Sequence, residues 1–526
     1  MNYLRGARIT VALLAFTVTI LIFIDVFGVL PREAAGFLHA QFIPALLSGM
    51  WIVAILLVAI TLLFGRLYCS ILCPAGILQD VFNRLAKRGI KRNKHKRYFH
   101  YAQPHNWLRY SVLAVTIVAF VLGSSTLVLL LDPYSNMGRV LTALVRPVVI
   151  LLHNLIAKGF SSFGWHTVPI LQPSGFSFMA FAAALLFLAV IAVMSLWKGR
   201  LYCNTLCPVG SLLGLLSKVA PFRIVIKKSA CNHCGTCALH CKSECIDSKN
   251  GKIDASRCVV CFNCIASCPH GALSYSPSLT FPSREGKNLQ FALKQVKQIS
   301  FPLEGGLREA GTVVSRRTFL LSGATLMAAV PAALAQSKSG AEKTEPVMPP
   351  GAGTREHFTS HCTACHLCVA KCPSSVLKPA AFDYGLMGIM QPKMTYDNDF
   401  CQPDCTDCSH VCPTGAIRPL TLDEKRHTQI GIAVFTEKKC VVYTEETDCG
   451  ACSEHCPTQA VSMVDYKDGL RIPHVTPEIC VGCGACECVC PARPKAIVVH
   501  AHIVQQQAHP IPKEKEKEHK VDDFGF

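Results

Sequence analysis

The sequence has little charge and none of the short motifs that mark nucleotide chemistry. Only 16% of its 526 residues are charged, whereas 51% are hydrophobic, and the mean hydropathy is +0.34. It contains no P-loop, no G-x-G-x-x-G fingerprint after a strand and no Ser–His–Asp signature. The sequence therefore does not predict a nucleotide-dependent enzyme or a serine hydrolase, and it is too apolar for an ordinary soluble protein.

Acidic residues are also scarce, since 34 of them stand against 52 lysines and arginines and leave a net charge of +18. Much of the excess lies in one loop between two apolar segments, which argues against a nucleic-acid-binding surface. A basic loop in that position marks the cytoplasmic side of a membrane protein and attracts anionic lipid. Its cations are Arg84, Lys87, Arg88, Lys91, Arg92, Lys94, Lys96 and Arg97.

Four apolar segments are each near the ~20 residues that a helix needs to cross a bilayer. They are residues 9–30, 42–64, 108–131 and 176–197. The basic loop follows the second segment, so we expect the N-terminus in the cytoplasm and residues 132–174 outside. Residues 140–156 of this outer stretch are interrupted by Arg146, Pro147 and His153. They predict a short helix on or partly in the membrane, in place of a fifth span.

A motif occurs twice, after the second and the fourth apolar segment. G-R-L-Y-C-S-I-L-C-P-A-G begins at residue 65, and G-R-L-Y-C-N-T-L-C-P-V-G begins at residue 199. Each copy places two cysteines one helical turn apart, at the expected cytoplasmic end of a span. These cysteines are candidates for a metal or a further cluster, for redox-active dithiols, or for structural packing. They are Cys69, Cys73, Cys203 and Cys207.

Most of the other cysteines, out of 30 in all, stand in C-x2-C-x2-C-x3-C runs that usually end in proline. This pattern indicates iron–sulfur ligation, because bacterial ferredoxins hold each cluster with three cysteines of one run and the distal cysteine of another. Residues 230–272 hold two such runs, although Lys242 replaces the usual proline and Cys245 is an alternative to Cys241. One cluster is assigned to Cys231, Cys234, Cys237 and Cys268, and the other to Cys258, Cys261, Cys264 and Cys241.

Four further runs follow in the C-terminal part of the chain and predict four more [4Fe–4S] clusters. Their spacing alone does not fix which distal cysteine completes which cluster. Cys488 is left over from the count, as Cys245 is. The runs are Cys362, Cys365, Cys368 and Cys372; Cys401, Cys405, Cys408 and Cys412; Cys440, Cys449, Cys452 and Cys456; and Cys480, Cys483, Cys486 and Cys490.

A segment before these runs is similar to a twin-arginine export signal. It reads S-R-R-T-F-L from residue 315, continues into an apolar run and reaches A-L-A at residue 333. We therefore expect the C-terminal domain outside the membrane, with the apolar run either cleaved or kept as an anchor.

The predicted fold is multi-domain and combines an α-helical membrane domain of about four spans with ferredoxin-like modules. The two-cluster module is expected to be α+β, as in bacterial ferredoxins. The predicted limits are 1–220 for the membrane domain, 221–280 for the two-cluster module, 281–314 for a linker, 315–336 for the signal or anchor helix, 337–355 for a second linker, 356–504 for the four-cluster domain and 505–526 for a disordered tail.

The first part of the chain, to about residue 275, resembles NapH, the polytopic ferredoxin-type subunit associated with periplasmic nitrate reductase. Residues from 315 onward resemble NapG, an exported protein with four [4Fe–4S] clusters, so the chain looks like a fusion of the two. The C-x3-C-P core is also similar to that of NosR-type and CcoG-type proteins. Resemblance to ferredoxin-like subunits of molybdenum enzymes implies a nested pairing: Cys490 with the first run, Cys456 with the second, Cys412 with the third and Cys372 with the fourth.

The resemblance implies an iron–sulfur electron-transfer protein of the bacterial inner membrane with six [4Fe–4S] clusters. It would pass electrons from quinol or a cytoplasmic donor to a periplasmic reductase or cytochrome, as an oxidoreductase component. A quinol dehydrogenase-like subunit needs proton acceptors, and Asp25, Asp132, His153 and His166 are the candidates. The alternative is a maturation factor that reduces a metal or thiol of a periplasmic metalloenzyme through its C-x3-C-P cysteines.

Overall fold

The computed structural model describes residues 2–90, 99–164, 168–171, 177–277 and 345–510, which belong to one compact unit. The core of the predicted basic loop, the predicted export signal and the end of the predicted tail lie outside these residues. His166 lies outside them as well.

Apolar helices make up the first part of the chain. Side chains such as Ile52, Val121 and Leu186 are exposed on their surface, as expected for helices that face lipid. The helices are Asn2–Ile24, Arg32–Ala40, Phe42–Leu47, Trp51–Phe64, Tyr68–Ile71, Pro74–Ile90, Asn106–Val121, Thr126–Leu131, Pro133–Val140, Leu141–Val145, Arg146–Ser162, Phe178–Lys198, Leu201–Thr205, Pro208–Leu216 and Ser217–Val219.

Three helices in the described part are long and apolar enough to cross a membrane, namely Tyr3–Ile24, Pro133–Ser162 and Phe178–Lys198. Residues 140–156, where the sequence predicts a short helix, instead belong to a continuous helix of 30 residues that is long enough to cross a membrane. Two predicted spans are instead divided. Gly49 and Gly123, which have φ of +73° and +84°, lie at the breaks within residues 42–64 and 108–131.

The two-cluster module is a small α+β fold. Strand Phe222–Ile226 pairs antiparallel with strand Leu273–Pro277, and strand Ile246–Asp247 pairs with Lys252–Ile253. Short helices Thr236–Leu239 and Asn263–Ser267 pack on each other between these strands. The module therefore has the ferredoxin-like pattern of two cysteine loops, each followed by a one-turn helix.

The C-terminal domain is larger than its predicted limits of 356 and 504. Val347, Met348 and Ala352 are buried in its core, and the last strand reaches Gln507, where the sequence predicts a disordered tail. Its helices are Arg355–His361, Leu367–Lys371, Leu386–Gly388, Asp407–His410, Leu422–His427, Glu437–Lys439, Val441–Thr444, Ala451–Glu454 and Ala485–Val489; its strand pairs are Leu377–Pro379 with Pro392–Met394, Thr428–Phe435 with Ile497–Gln507, and Val461–Asp465 with Arg471–Val475.

The C-terminal domain packs directly on one end of the helical part. Lys371 forms an ion pair with Asp25 just after the first helix, and Ser125 Oγ donates to the Thr359 carbonyl at 2.8 Å. Arg32 pairs with Asp407 at 2.9 Å. The two-cluster module packs at the other end of helix Phe178–Lys198: Met179 near its start packs beside Ala364 of the C-terminal domain, whereas just after its end Arg200 N donates to the Lys242 carbonyl at 2.9 Å. The second motif therefore begins at the end of this helix that lies away from the C-terminal domain.

Candidate iron–sulfur centres

Both copies of the repeated motif fold in the same way. The first cysteine lies in a short helix, and the second precedes a longer helix that starts at Pro74 or Pro208. Proline suits this first position because its fixed φ is helical and because a backbone N–H there would have no partner within the helix. The Cys207 thiol accepts from Gly210 N at 3.2 Å and so caps its helix, as Cys73 does through the equivalent Gly76.

The last residue of each motif has to be glycine for a steric reason. A Cβ at Gly76 would lie 2.3 Å from the carbonyl oxygen of Cys69, and a Cβ at Gly210 would lie 2.3 Å from that of Cys203. The second helix of each motif therefore approaches the first cysteine more closely than any other residue allows.

The two motifs bring their four thiols into a single buried core, here called the membrane thiol group. Its members, Cys69, Cys73, Cys203 and Cys207, are each 2–3% exposed and lie within electrostatic range of one another. The cysteines of the two half-repeats, which the sequence only suggests could meet, are thus neighbours in the structure.

Two buried arginines from the same motifs brace this group by crossing between the half-repeats. Arg66 Nη2 donates to the Cys203 carbonyl at 3.1 Å, and Arg200 Nη1 donates to the Cys69 carbonyl at 2.6 Å. Arg66 Nη2 also lies 3.8 Å from the Cys69 thiol. The two fixed cations offset part of the cost that burial imposes on the thiolate form, which is the form that binds metal.

The four thiols of the membrane thiol group have the donor chemistry of an iron–sulfur cluster or of another site for a soft metal. Soft thiolates next to buried cations are the donors that such a cluster requires.

The two-cluster module forms two further thiol groups. Group 1 is exposed at Cys234 and borders a small cavity, whereas group 2 is largely buried against the motifs, with Cys261 in the same core as the membrane thiol group. Group 1 consists of Cys231, Cys234, Cys237 and Cys268, and group 2 consists of Cys241, Cys258, Cys261 and Cys264.

Cys245 lies within group 2 and does not stand apart from it. Its Sγ is 3.5 Å from the Cys241 Sγ, and it also reaches Cys258. Their hydrogen bond lowers the pKa of the Cys241 thiol, although either sulfur can be the donor. Both candidates therefore lie at group 2, and the choice of ligand between them stays a prediction.

Lys242, which replaces the usual proline, contributes an ion pair to the motif core. Its ammonium contacts the carboxylate of Asp80, which also binds Arg200 at 2.7 Å. Burial lowers the pKa of Lys242 to about 8, although Asp80 opposes the shift. Burial raises the pKa of Asp80, but the cations outweigh it and hold the pKa below its usual range. The substitution therefore anchors group 2 to the repeated motif.

The C-terminal cysteines pair between consecutive runs, which corrects the nested pairing. Burial raises the pKa of Cys365 to about 12, and repulsion from Cys412 contributes. Burial and repulsion from Cys401 and Cys372 raise the pKa of Cys408. The short helices that contain Cys368 and Cys408 pack on each other and bring these thiols together. Group 3 is thus Cys362, Cys365, Cys368 and Cys412, and group 4 is Cys372, Cys401, Cys405 and Cys408.

The last two runs form a second pair in the same manner. Burial raises the pKa of Cys483 to about 12 with a contribution from Cys456, and burial raises that of Cys440 with contributions from Cys449 and Cys490. Helix Ala451–Glu454 packs on helix Ala485–Val489. Group 5 is thus Cys456, Cys480, Cys483 and Cys486, and group 6 is Cys440, Cys449, Cys452 and Cys490. Nested pairing fails because each run folds against its neighbour in sequence.

One helix connects the membrane thiol group with group 3. Val140 packs in the core around the membrane thiols, whereas Tyr134 and Met137 of the same helix pack in the core that contains Cys365. The fully buried Arg139 lies between them and is 3.8 Å from the Met390 Sδ. This helix therefore bridges the region that separates the two ferredoxin-like parts.

The candidate proton acceptors lie at different places. Asp25 forms an ion pair with Lys371, and its carboxylate accepts hydrogen bonds from the backbone N–H groups of Val29 and Leu30. His153 packs edge-on against Phe27 at 5.0 Å. Asp132 is 1% exposed and caps the helix that starts at Pro133. The three are not brought together, and of them only Asp132 lies beside the repeated motifs.

Sequence reasoning missed the buried cations Arg66, Arg200 and Arg139 and the acid Asp80. Arg66 and Arg200 were visible as an arginine at the same place in both motifs, directly before buried cysteines. Asp80 and Arg139 carry no repeated signal and depend on tertiary contacts between segments far apart in sequence.

Comparison with known proteins agrees with these centres. One family model, a 4Fe-4S binding domain, matches residues 47–93 and 179–228 and so includes both motifs. A second, a 4Fe-4S dicluster domain, matches residues 447–493. That span covers the third run from Cys449 and the whole fourth run, which groups 5 and 6 share.

Curated relatives match parts of the chain. The ferredoxin-type protein NapF of Escherichia coli K12 is 29% identical over 30% of this chain and 87% of its own length. The methylamine utilization ferredoxin-type protein MauM of Methylobacillus flagellatus is 35% identical over 29% of this chain and 66% of its own length. The regulatory protein NosR of Pseudomonas aeruginosa is 28% identical over 39% of this chain and 24% of its own length. No solved structure matches the chain. The chain is thus similar to ferredoxin-type proteins with [4Fe–4S] domains, and this similarity supports a role in iron–sulfur electron transfer.

Proposed function

We propose that the chain is an inner-membrane electron-transfer protein that takes electrons from quinol or a cytoplasmic donor and delivers them to a periplasmic reductase, as in a nitrate-reductase-like system. The observation that carries this proposal is the series of thiol groups that runs through the fold. Groups 1 and 2 lie at one end of helix Phe178–Lys198 and groups 3 to 6 lie at the other, and the membrane thiol group shares a core with group 2.

Contacts within the series support electron flow from end to end. Cys237 of group 1 lies within electrostatic range of Cys264 of group 2. Group 4 meets group 5 where Cys401 N donates to the Cys483 carbonyl at 3.0 Å. Bound clusters would supply one-electron transfer at each group. The protein holds the ligands, buries them and fixes their spacing.

The membrane thiol group supplies the step that the sequence alone leaves missing. About 30 Å of hydrocarbon separates the two faces of a membrane, and a centre between groups 2 and 3 divides that distance. Deep burial of all four thiols also favours an internal centre over a dithiol that acts on a partner protein. The maturation role would need thiols that a partner can reach.

The test compares the wild type with Cys69→Ser/Cys203→Ser, and with Cys488→Ser as a control outside the six groups. Iron and acid-labile sulfide are counted, and each protein is reconstituted into liposomes with ferricyanide inside and dithionite outside. We expect about 28 iron atoms per wild-type chain and about 24 in the double variant, at four per cluster. The double variant is also expected to lose electron transfer across the membrane.

Cys488→Ser should match the wild type in both measurements. Transfer at the wild-type rate by the double variant would contradict an electron path through the membrane thiol group. A wild-type count near 16 would contradict the cluster assignment in the two ferredoxin-like parts.

A further inference from the structure

A cavity of about 400 Å³ lies between the first helix of the chain and the two-cluster module. Residues of helices Asn2–Ile24 and Pro74–Ile90 line it, together with the first residue of helix Asn263–Ser267. The first and the last of these helices also pack on each other. The volume lies within the ~300–1,000 Å³ of small-molecule sites. A ligand in this cavity would therefore contact membrane helices and the two-cluster module at once.

The lining of this cavity has an excess of positive charge. Four cations and one acid among the described residues line it, which leaves a net charge of +3. The acid already pairs with Lys242, Arg200 and Arg8. Residues 81–100, which follow it in the chain, include no acid that could offset the rest. A ligand with negative charge is therefore favoured here. The cations are Arg5, Arg8, Arg84 and Lys242, and the acid is Asp80.

Two of these cations, Arg5 and Arg8, are incompletely compensated by the protein. Arg5 forms no ion pair with the residues that the structure describes, and its Nε has no hydrogen-bond partner among them. Arg8 is only 9% exposed, and its Nη1 donates to the Ser70 carbonyl at 3.3 Å. The nearest acid, Asp80, is 3.6 Å from Arg8, which is too far for a hydrogen bond. Because a buried charge is costly unless it is paired, an anion beside these two guanidinium groups would be stabilised.

The same cavity is apolar farther along the first helix. Ile9, Ala12 and Leu13 line it there, and Leu13 is 48% exposed on the surface that faces lipid. Leu13 lies five residues beyond Arg8, which is roughly 7.5 Å along the helix axis. Leu85 of helix Pro74–Ile90 also lines the cavity and is 56% exposed. The cavity thus offers cations at one end and hydrocarbon contacts at the other, which matches a lipid with an anionic head group.

We propose that this cavity binds one anionic phospholipid, with its phosphate beside Arg5 and Arg8 and an acyl chain along Leu13. Asn263 lines the cavity from the module side, and its amide has donors to offer the head group. Basic pockets between membrane helices on the cytoplasmic side bind anionic lipid head groups in other proteins, and the sequence predicts that this end of the first helix is cytoplasmic. The bound lipid would join the first helix to the module that contains groups 1 and 2.

The test measures lipid binding to the full chain in a non-ionic detergent by native mass spectrometry. The probes are phosphatidylglycerol, which is anionic, phosphatidylcholine, whose choline cancels the phosphate charge, and inorganic phosphate as a competitor. We expect one phosphatidylglycerol per wild-type chain, bound in preference to phosphatidylcholine and not displaced by excess inorganic phosphate. Arg5→Gln should weaken the binding of phosphatidylglycerol about 5-fold or more, which is the contribution of one cation to anionic lipid binding.

Two matched controls separate the site from general attraction. Lys198→Gln also removes one positive charge at the end of a membrane-spanning helix, but Lys198 does not line the cavity, so this variant should bind phosphatidylglycerol as the wild type does. Leu13→Trp fills the apolar part of the cavity and should abolish binding of that lipid. Leu14→Trp should not, because Leu14 is 62% exposed and does not line the cavity. Wild-type iron content in all four variants would show that they are folded.

Several results would overturn this inference. Equal binding of the two lipids by the wild type would show that the cations do not select an anionic head group. Equal losses in Arg5→Gln and Lys198→Gln would show attraction by surface charge alone, and unchanged binding in Leu13→Trp would place the lipid elsewhere. Displacement by inorganic phosphate would assign the cations to a free anion. None of these results bears on the proposed function, which is tested by electron transfer across the membrane.

Discussion

Arg66 and Arg200 occupy the same place in the two motifs and exchange partners across the pseudo-symmetric core. Each donates to the backbone carbonyl of the first cysteine of the other motif, over 3.1 Å for Arg66 and 2.6 Å for Arg200. Their guanidinium groups thus tie the half-repeats together at the point where four thiols meet. The arginine of each G-R-L-Y-C sequence therefore links the two halves of the membrane thiol group to each other.

We predict that Arg66→Gln lowers the iron content by about four atoms per chain, because the membrane centre loses a cation and its brace. Arg66 also donates to Asn204 Oδ1 at 2.9 Å and to the Ser256 carbonyl at 3.0 Å. Each buried acceptor left without a donor costs about 1–3 kcal/mol. Iron analysis and thermal unfolding check this, with exposed Arg84→Gln as the control. Full iron content in Arg66→Gln would contradict the role in metal binding.

Cluster pairing in the C-terminal domain can be tested by combining substitutions. Cys362 and Cys412 belong to one group in the structure, so Cys362→Ser, Cys412→Ser and the double variant should each lose the same one cluster, about four iron atoms. Cys362→Ser/Cys490→Ser should lose two clusters, because Cys490 belongs to group 6. Iron counts and EPR spin counts distinguish the cases. Loss of two clusters in Cys362→Ser/Cys412→Ser and of only one in Cys362→Ser/Cys490→Ser would instead support the nested pairing.

The sequence predicts the cysteine ligands through spacing, because a cluster loop is a local structure. It does not predict the partner of each run, which depends on how helices such as Leu367–Lys371 and Asp407–His410 pack. The spans at 9–30 and 176–197 follow from hydropathy, whereas the breaks at Gly49 and Gly123 depend on tertiary packing. The helix through Arg146 is longer than predicted, because a basic residue and a proline suggested an interruption. Pro147 instead stands near the start of helix Arg146–Ser162, where its missing N–H costs little.

Cys241 and Cys245 differ in their expected roles at group 2. Cys245→Ser should retain the iron content and shift the reduction potential of that cluster, because hydrogen bonds to ligand sulfur tune the potential. Cys241→Ser should retain part of the cluster through Cys245, whose Sγ is 3.5 Å away. The double variant should lose about four iron atoms. Redox-poised EPR checks all three, and loss of the cluster in Cys245→Ser alone would make Cys245 the ligand.

Asp80 is the shared anion of a buried cation cluster, so its removal should be more damaging than removal of a partner. It pairs with Lys242, Arg200 and, at 3.6 Å, Arg8. Asp80→Asn leaves these cations without a counter-charge, and breaking such a buried pair costs about 3–5 kcal/mol.

Lys242→Met removes one cation and its desolvation cost together, and Asp80 keeps two arginines. We therefore expect a large fall in the melting temperature for Asp80→Asn and a small change for Lys242→Met. The double variant should recover part of the loss, because it no longer buries an unpaired ammonium. Thermal unfolding in nanodiscs measures the three shifts, and equal losses from both single variants would show that the lysine pair alone holds group 2 against the motif.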